Sequence, residues 1–192
     1  TIVIHGLGGH SESAYLVDTA RAVERSGQSC LRLSLRGSAG TGEDLYHAGL
    51  TADLRAALAD EALADYDRIH VVGFSLGGHV TLRAAIDGLD DRLAAVASIC
   101  PPLDLGAVQR ALDAPKRKGY REYILRELRT IYREVARRER APTPVERVDR
   151  VRTLREWDAL TVVPRFGFRD VDDYYETMSV GDELDSLGID AL

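Results

Sequence analysis

One serine in the chain is set between glycines at a spacing that could do chemistry: Gly73-Phe74-Ser75-Leu76-Gly77, continued by Gly78 and His79. An apolar, β-branched run from Ile69 to Phe74 enters this stretch, and an amphipathic segment starting near Leu76 leaves it. The spacing predicts that Ser75 sits where a buried strand turns sharply into a helix, the G-x-S-x-G nucleophile elbow. Such chemistry needs the turn because a serine hydroxyl is a weak nucleophile. It must be lifted clear of the sheet towards a base, while main-chain N–H groups converge on the developing oxyanion. Gly73 and Gly77 leave room for the turn, and Gly78 lets the helix lie close to the strand. The alternative is a glycine-rich turn whose serine merely caps the helix.

The elements that must position this serine follow an alternating pattern. Thr1 to Ile4 reads as a buried strand, His5-Gly6-Leu7-Gly8-Gly9-His10 as the loop after it, and Ser11 to Arg25 as an amphipathic helix stopped by Gly27. A strand from Cys30 to Leu35 leads through a glycine-rich connection, Arg36 to Gly42, to a helix expected over Tyr46 to Leu63. The strand Arg68 to Phe74 delivers the elbow; a helix to about Asp87 and a strand from Leu93 to Cys100 complete the pattern. Alternation of this kind argues an α/β architecture with a mostly parallel sheet covered by helices on both faces.

After Pro101-Pro102 the pattern changes. No strand signal recurs between Gly106 and Leu160, and Ile124, Leu128, Ile131 and Val135 share one helix face, with Pro142 and Pro144 as breaks and a second helical piece over Val151 to Leu160. The organisation expected is an α/β core over 1–105, a helical lid insertion over 106–165, and a return to the core over 166–192. The run Asp170, Asp172, Asp173 lacks the glycine and glutamate of a calcium loop and reads as a helix start.

Composition narrows the function classes. A net charge of −6 argues against a nucleic-acid partner, and the local patch Arg137-Arg138-Glu139-Arg140 reads as a solvated helix face. Two cysteines, Cys30 and Cys100, make neither a metal cluster nor a disulfide framework; they are expected as buried free thiols, which fits a reducing, cytoplasmic setting. No H-E-x-x-H or Cys–His cluster suggests a metal, and no cofactor is expected. The glycines of the first loop fit neither a phosphate-binding P-loop, which needs Lys-Ser or Lys-Thr after the last glycine, nor a dinucleotide fingerprint, which needs glycine where Ser11 stands.

Taken in order, His5 to Gly9, Arg36-Gly37, Tyr46 to Leu54, Gly73 to Gly78, Cys100 to Leu105, and Asp173-Tyr174-Tyr175 followed by Ser179 resemble the YheT-like branch of the α/β-hydrolase superfamily, with its ABHD-type esterase and lipase relatives. The resemblance covers essentially the whole chain. It implies a serine-dependent carboxylic-ester hydrolase acting on a small acyl ester or lipid through an acyl-enzyme, reaching a membrane surface only through its substrate. Ser75 is then the nucleophile, and the main-chain N–H groups of Leu7 and Leu76 form the oxyanion hole. Glycines at 6, 8 and 9 independently suit a backbone that must approach a carbonyl closely.

In that superfamily the acid and the histidine follow the serine, beyond the lid. Here the five histidines are His5, His10, His47, His70 and His79. His5 and His47 are candidates for the pocket, and His5 and His10 also for shaping the loop, whereas His79 lies on the helix leading away from the elbow. The catalytic pair is therefore expected beyond Leu192, both ends are expected to cut through a domain, and residues 1–192 alone are expected to be a poor catalyst. The rival reading is a non-catalytic hydrolase-like fold that binds a ligand or partner. Oligomeric state is not encoded in any of these motifs.

Overall fold

The computed structural model describes residues 1–40, 44–138 and 140–192. Gly42 of the expected glycine-rich connection and Glu139 of the arginine-rich patch lie outside them. The chain divides into two compact units, one comprising Thr1–Leu35, Ala48–Pro102 and Val180–Leu192, the other Arg36–His47 and Leu103–Ser179.

In the first unit the elements are β1 (Ile2–Ile4), α1 (Ala14–Arg25), β2 (Leu31–Leu33), α2 (Ala52–Leu58), β3 (Ile69–Phe74), α3 (Leu76–Ile86), β4 (Leu93–Ile99) and β5 (Asp190–Ala191). All pairings are parallel, in the order β2-β1-β3-β4-β5. The chain steps from β1 to β2 in one direction and from β3 to β4 in the other. Right-handed crossovers running opposite ways set α1 and α3 on opposite faces of the sheet. The order reverses between β1 and β3, whose register pairs Ile4 with Gly73, so the loops leaving both strands emerge side by side. In open α/β sheets ligands bind in the crevice at such a point.

Burial explains the strands. Ile2, Val3, Ile4 and Val71 are fully buried, as the interior strands of a helix-covered parallel sheet require. α3 is buried nearly all round, from Leu76 through Leu82 and again at Ala84 and Ala85, a helix enclosed by its neighbours rather than laid on a surface. The helix expected over Tyr46 to Leu63 is much shorter. Tyr46, His47 and Ala48 are buried in non-helical backbone, Thr51 precedes the first turn, and the Asp60 carboxylate accepts from Ala62 N–H to start a separate 3-10 turn. Short polar side chains that bond nearby backbone compete with helix continuation.

The second unit is helical: α4 (Leu105–Asp113), α5 (Lys118–Ala136), α6 (Val145–Val148), α7 (Leu154–Leu160), α8 (Val162–Phe166) and α9 (Val171–Met178). Its helix starts are written in the sequence. Asp104 accepts from Ala107 N–H, Thr153 from Glu156 N–H, and Asp170 from Asp173 N–H, so the aspartate run does open a helix. Ile124, Leu128, Ile131 and Val135 are all buried, as their shared face demands. The buried Tyr132 hydroxyl donates to Thr143 O (2.6 Å) and accepts from Thr143 N–H (2.9 Å), tying α5 to the chain beyond its break. The segment 36–47 is held here by a bidentate Arg165–Asp44 pair and by the His47 ring, which meets Phe166, Phe168 and Tyr174 edge-on.

Between α7 and α9 the Tyr175 hydroxyl donates to Asp158 at 2.6 Å. Burial pushes the Asp158 carboxyl up to about 7, the bond from Tyr175 opposes this, and the nearby Asp113 adds to it. A carboxyl whose folded value lies above its ordinary 3.8 stabilises the fold most at low pH, and that contribution is lost as pH rises towards 7. Asp158→Asn should therefore be more stable than the parent at about pH 8, and the two should converge at about pH 4. Thermal melts across this range test it; parallel profiles would show that Asp158 titrates as an ordinary carboxylate.

Candidate active site

Ser75 occupies the junction of β3 and α3 with φ 52° and ψ −118°, a left-handed conformation that costs a non-glycine residue about 1–3 kcal/mol. Backbone bonds on both sides hold it there: Ser75 N–H donates to Ile99 O (2.8 Å) and His79 N–H donates to Ser75 O (3.1 Å). The side chain is exposed and makes no capping hydrogen bond to α3. A serine placed only to cap the helix would use its oxygen on a first-turn amide.

Close packing dictates the glycines around it. A Cβ on Gly73 would overlap Gly77 O and Thr81 Oγ1; one on Gly77 would lie 2.5 Å from Ile4 O and overlap His5 O as well. α3 therefore starts in direct contact with the end of β1. The loop after β1 is equally near the serine: a Cβ on Gly6 would lie 3.2 Å from Ser75 Cβ and 3.3 Å from Phe74 O. Gly9 N–H donates to Gly6 O at 3.0 Å, closing the loop into a turn that contains Leu7. Leu76 opens α3, where first-turn amides have no partner within the helix. Among the described residues neither Leu7 N–H nor Leu76 N–H donates to another protein group.

The histidines take different places. His5 is fully buried; its Nδ1 lies 2.7 Å from Gly6 O and its Nε2 accepts from Leu35 N–H at 3.0 Å. That pairing puts the proton on Nδ1 and makes the ring a brace between the ends of β1 and β2. Desolvation lowers its pKa to about 4, against a bond to Gly6 O that favours the charged form. A depressed histidine contributes stability that is complete above about pH 6.5 and is lost as pH falls towards 4, each unit being worth about 1.4 kcal/mol. His5 should thus resist protonation in an NMR titration until about pH 5, and a ring titrating near 6.5 would contradict the assignment.

His10 Nδ1 accepts from Glu12 N–H within the same loop region, and His79, fully buried, faces Pro102 O through Nδ1 at 2.9 Å. His47 belongs to the aromatic cluster of the second unit. Among the described residues no histidine or carboxylate is hydrogen-bonded to Ser75 Oγ.

Two features escaped the sequence. Gly6 N–H donates to the Tyr15 hydroxyl at 3.0 Å, and the Tyr15 ring meets Phe74 edge-on at 5.0 Å, so one side chain on α1 touches both the loop and the strand that leads to Ser75. Tyr15 lies off the buried positions of α1, Leu16 and Ala20, and carries no sequence signal for this role. Cys100, expected buried, is exposed with φ 52°, because β4 ends at Ile99 and the chain turns outward there; Cys30 is half-buried.

The site can be set beside known proteins. A model of the Alpha/beta hydrolase family matches residues 2–184. The chain belongs to that family. Within it, the chain is 27% identical over 188 residues to the Escherichia coli K12 protein named "Putative esterase YheT", covering 93% of this chain and 54% of that one. It thus spans about half the length of this curated relative, and it is a YheT-like member of the α/β hydrolases. Two solved structures share the fold. A probable hydrolytic enzyme from Pseudomonas aeruginosa PAO1 is 15% identical, with a TM-score of 0.51 over 99% of this chain and 62% of that one. The esterase Pf2001 of Pyrococcus furiosus is 18% identical, with a TM-score of 0.52 over 71% and 69%. The family's hydrolytic chemistry and the position of Ser75 at the topological switch point are mutually consistent.

Proposed function

We propose that this chain carries the nucleophile and oxyanion hole of a serine-dependent carboxylic-ester hydrolase. The observation that carries the reading is the backbone of Ser75: left-handed, exposed and without a capping bond, at the end of β3 beside the loop that follows β1. Ser75 Oγ attacks the acyl carbonyl while its proton passes to a base. The leaving alcohol takes that proton, and water then cleaves the acyl-enzyme to return the serine and release the acid. The N–H groups of Leu7 and Leu76 hold the oxyanion in both steps, from backbone already fixed by the glycine packing and the His5 brace. We place the general base and its acid outside residues 1–192, since His5, His10 and His79 are each committed to backbone groups, His47 to the aromatic cluster, and His70 stands near the start of β3, five residues before Ser75. The substrate class is an acyl ester, small or lipid.

A fluorophosphonate probe tests this on the natural full-length protein, with the modified peptide identified by mass spectrometry. Covalent labelling at Ser75 is expected. Labelling elsewhere, or none in a folded protein that binds acyl esters, would favour a hydrolase-like binding fold instead.

A further inference from the structure

The second unit contains a groove of about 750 Å³ between the start of α5, the chain before it, and the segment from Asp149 to Arg152. Five cationic side chains line it: Lys118, Arg121, Arg129, Arg150 and Arg152. Among the described residues none of the five forms an ion pair. Arg133, Arg137, Arg155 and Arg165 of the same unit, by contrast, are each matched to a carboxylate.

The carboxylates lining the groove are mostly occupied elsewhere. Asp149 pairs with Arg133 at 2.8 Å, and Asp113 accepts from Gln109 and from the amides of Leu154 and Arg155 at the start of α7. Glu122 remains, exposed at the rim. The two deepest guanidiniums are held by neutral carbonyls, Arg121 by Asp113 O at 2.6 Å and Arg129 by Val151 O. Each leaves its Nε buried with no hydrogen-bond partner, and Arg121 as a whole is only 9% exposed. A buried guanidinium with unspent donors and no counter-charge is costly to keep, and it is satisfied by an anion offering several oxygens in one plane or tripod.

We propose that this groove is a binding site for a phosphate-bearing anion. Arg121 and Arg129 grip the phosphate oxygens from fixed positions, and Lys118, Arg150 and Arg152 supply the positive field at the mouth. In a chain of net charge −6 the local excess of cations is a directed feature rather than a general affinity for polyanions. Guanidinium suits the task because its planar fork matches phosphate geometry. The proposal is independent of the esterase reading, since it uses no residue of the first unit.

Calorimetric titration with inorganic pyrophosphate and co-sedimentation with phosphatidylcholine vesicles containing phosphatidic acid test it, each at low and at raised salt. Pyrophosphate should bind and weaken with salt, and Arg121→Gln and Arg129→Gln should each weaken it about tenfold. Arg21→Gln, an exposed pair member on α1, should change nothing. Binding of pyrophosphate assigns a soluble phosphate compound; binding of the phosphatidate vesicles alone assigns a lipid headgroup. Should Arg121→Gln lose its fold with the bond to Asp113 O, the double variant Arg150→Gln/Arg152→Gln, altered only in exposed side chains, gives the same reading through a comparable loss. No binding in either arm at low salt, or unchanged binding in the folded variants, overturns the proposal.

Discussion

Ser75→Ala in the natural full-length protein should lower kcat/KM for p-nitrophenyl acyl esters by roughly 10⁴-fold or more, the scale on which removing a serine nucleophile acts once its base is in place. The fold should survive, because the Ser75 side chain makes no bond to α3 and its backbone is held by Ile99 O and His79 N–H, which alanine keeps. A companion variant separates chemistry from strain. Ser75→Gly should be equally inactive yet more stable than Ser75→Ala by about 1 kcal/mol, since only glycine adopts φ 52° without steric cost. Turnover within about tenfold of the parent would remove Ser75 from the reaction. A glycine variant no more stable than the alanine one would show that the left-handed turn stores no strain.

Gly77→Ala should be the most damaging substitution for the fold. Its Cβ would meet Ile4 O at 2.5 Å, Ile4 C at 2.8 Å and His5 O within overlap distance, all backbone atoms. Neither side can yield: β1 is paired on both edges, to β2 and β3, and α3 is buried nearly all round. A clash with immovable backbone belongs with the exceptional losses of more than about 4 kcal/mol, and an aggregated or expanded protein is the expected outcome. Gly119→Ala supplies the contrast. Gly119 lies in α5 with no atom within 4 Å of an added Cβ, so alanine there should raise stability by about 0.5–1 kcal/mol through helix propensity. Equal melting temperatures for the two variants would mean that α3 does not pack on β1 as described.

Much of the site was legible in one dimension because its signals are local. A β-branched run ending in Gly-x-Ser-x-Gly states a strand, a turn and a helix within about ten residues, and Ser75 follows from it. Asp104, Thr153 and Asp170 start helices because a side chain needs to reach only the amides two or three residues on. The four-three-four spacing of Ile124, Leu128, Ile131 and Val135 is likewise a property of one helix, and all four are buried.

What the residue order could not state was which elements become neighbours. Nothing in Thr1 to Ile4 says that β1 lies between β2 and β3; yet that strand order sets the Gly6 loop so close to Ser75 that a Cβ on Gly6 would lie 3.2 Å from Ser75 Cβ, and puts Gly77 on the carbonyls of Ile4 and His5. The same holds for Tyr15 reaching Gly6, for His5 bridging to Leu35, and for the early end of the helix expected from Tyr46, where packing of Tyr46, His47 and Ala48 outweighs helix propensity. The arginine groove is the sharpest case. Along the chain nothing sets Arg121, Arg129 and Arg152 apart from the other arginines, and only the fold commits Asp113 and Asp149 elsewhere and leaves the guanidiniums without counter-charge. Local pattern is governed by the energetics of a few consecutive residues, whereas pairing, close approach and charge balance depend on burial shared by segments far apart in sequence, which no single segment carries.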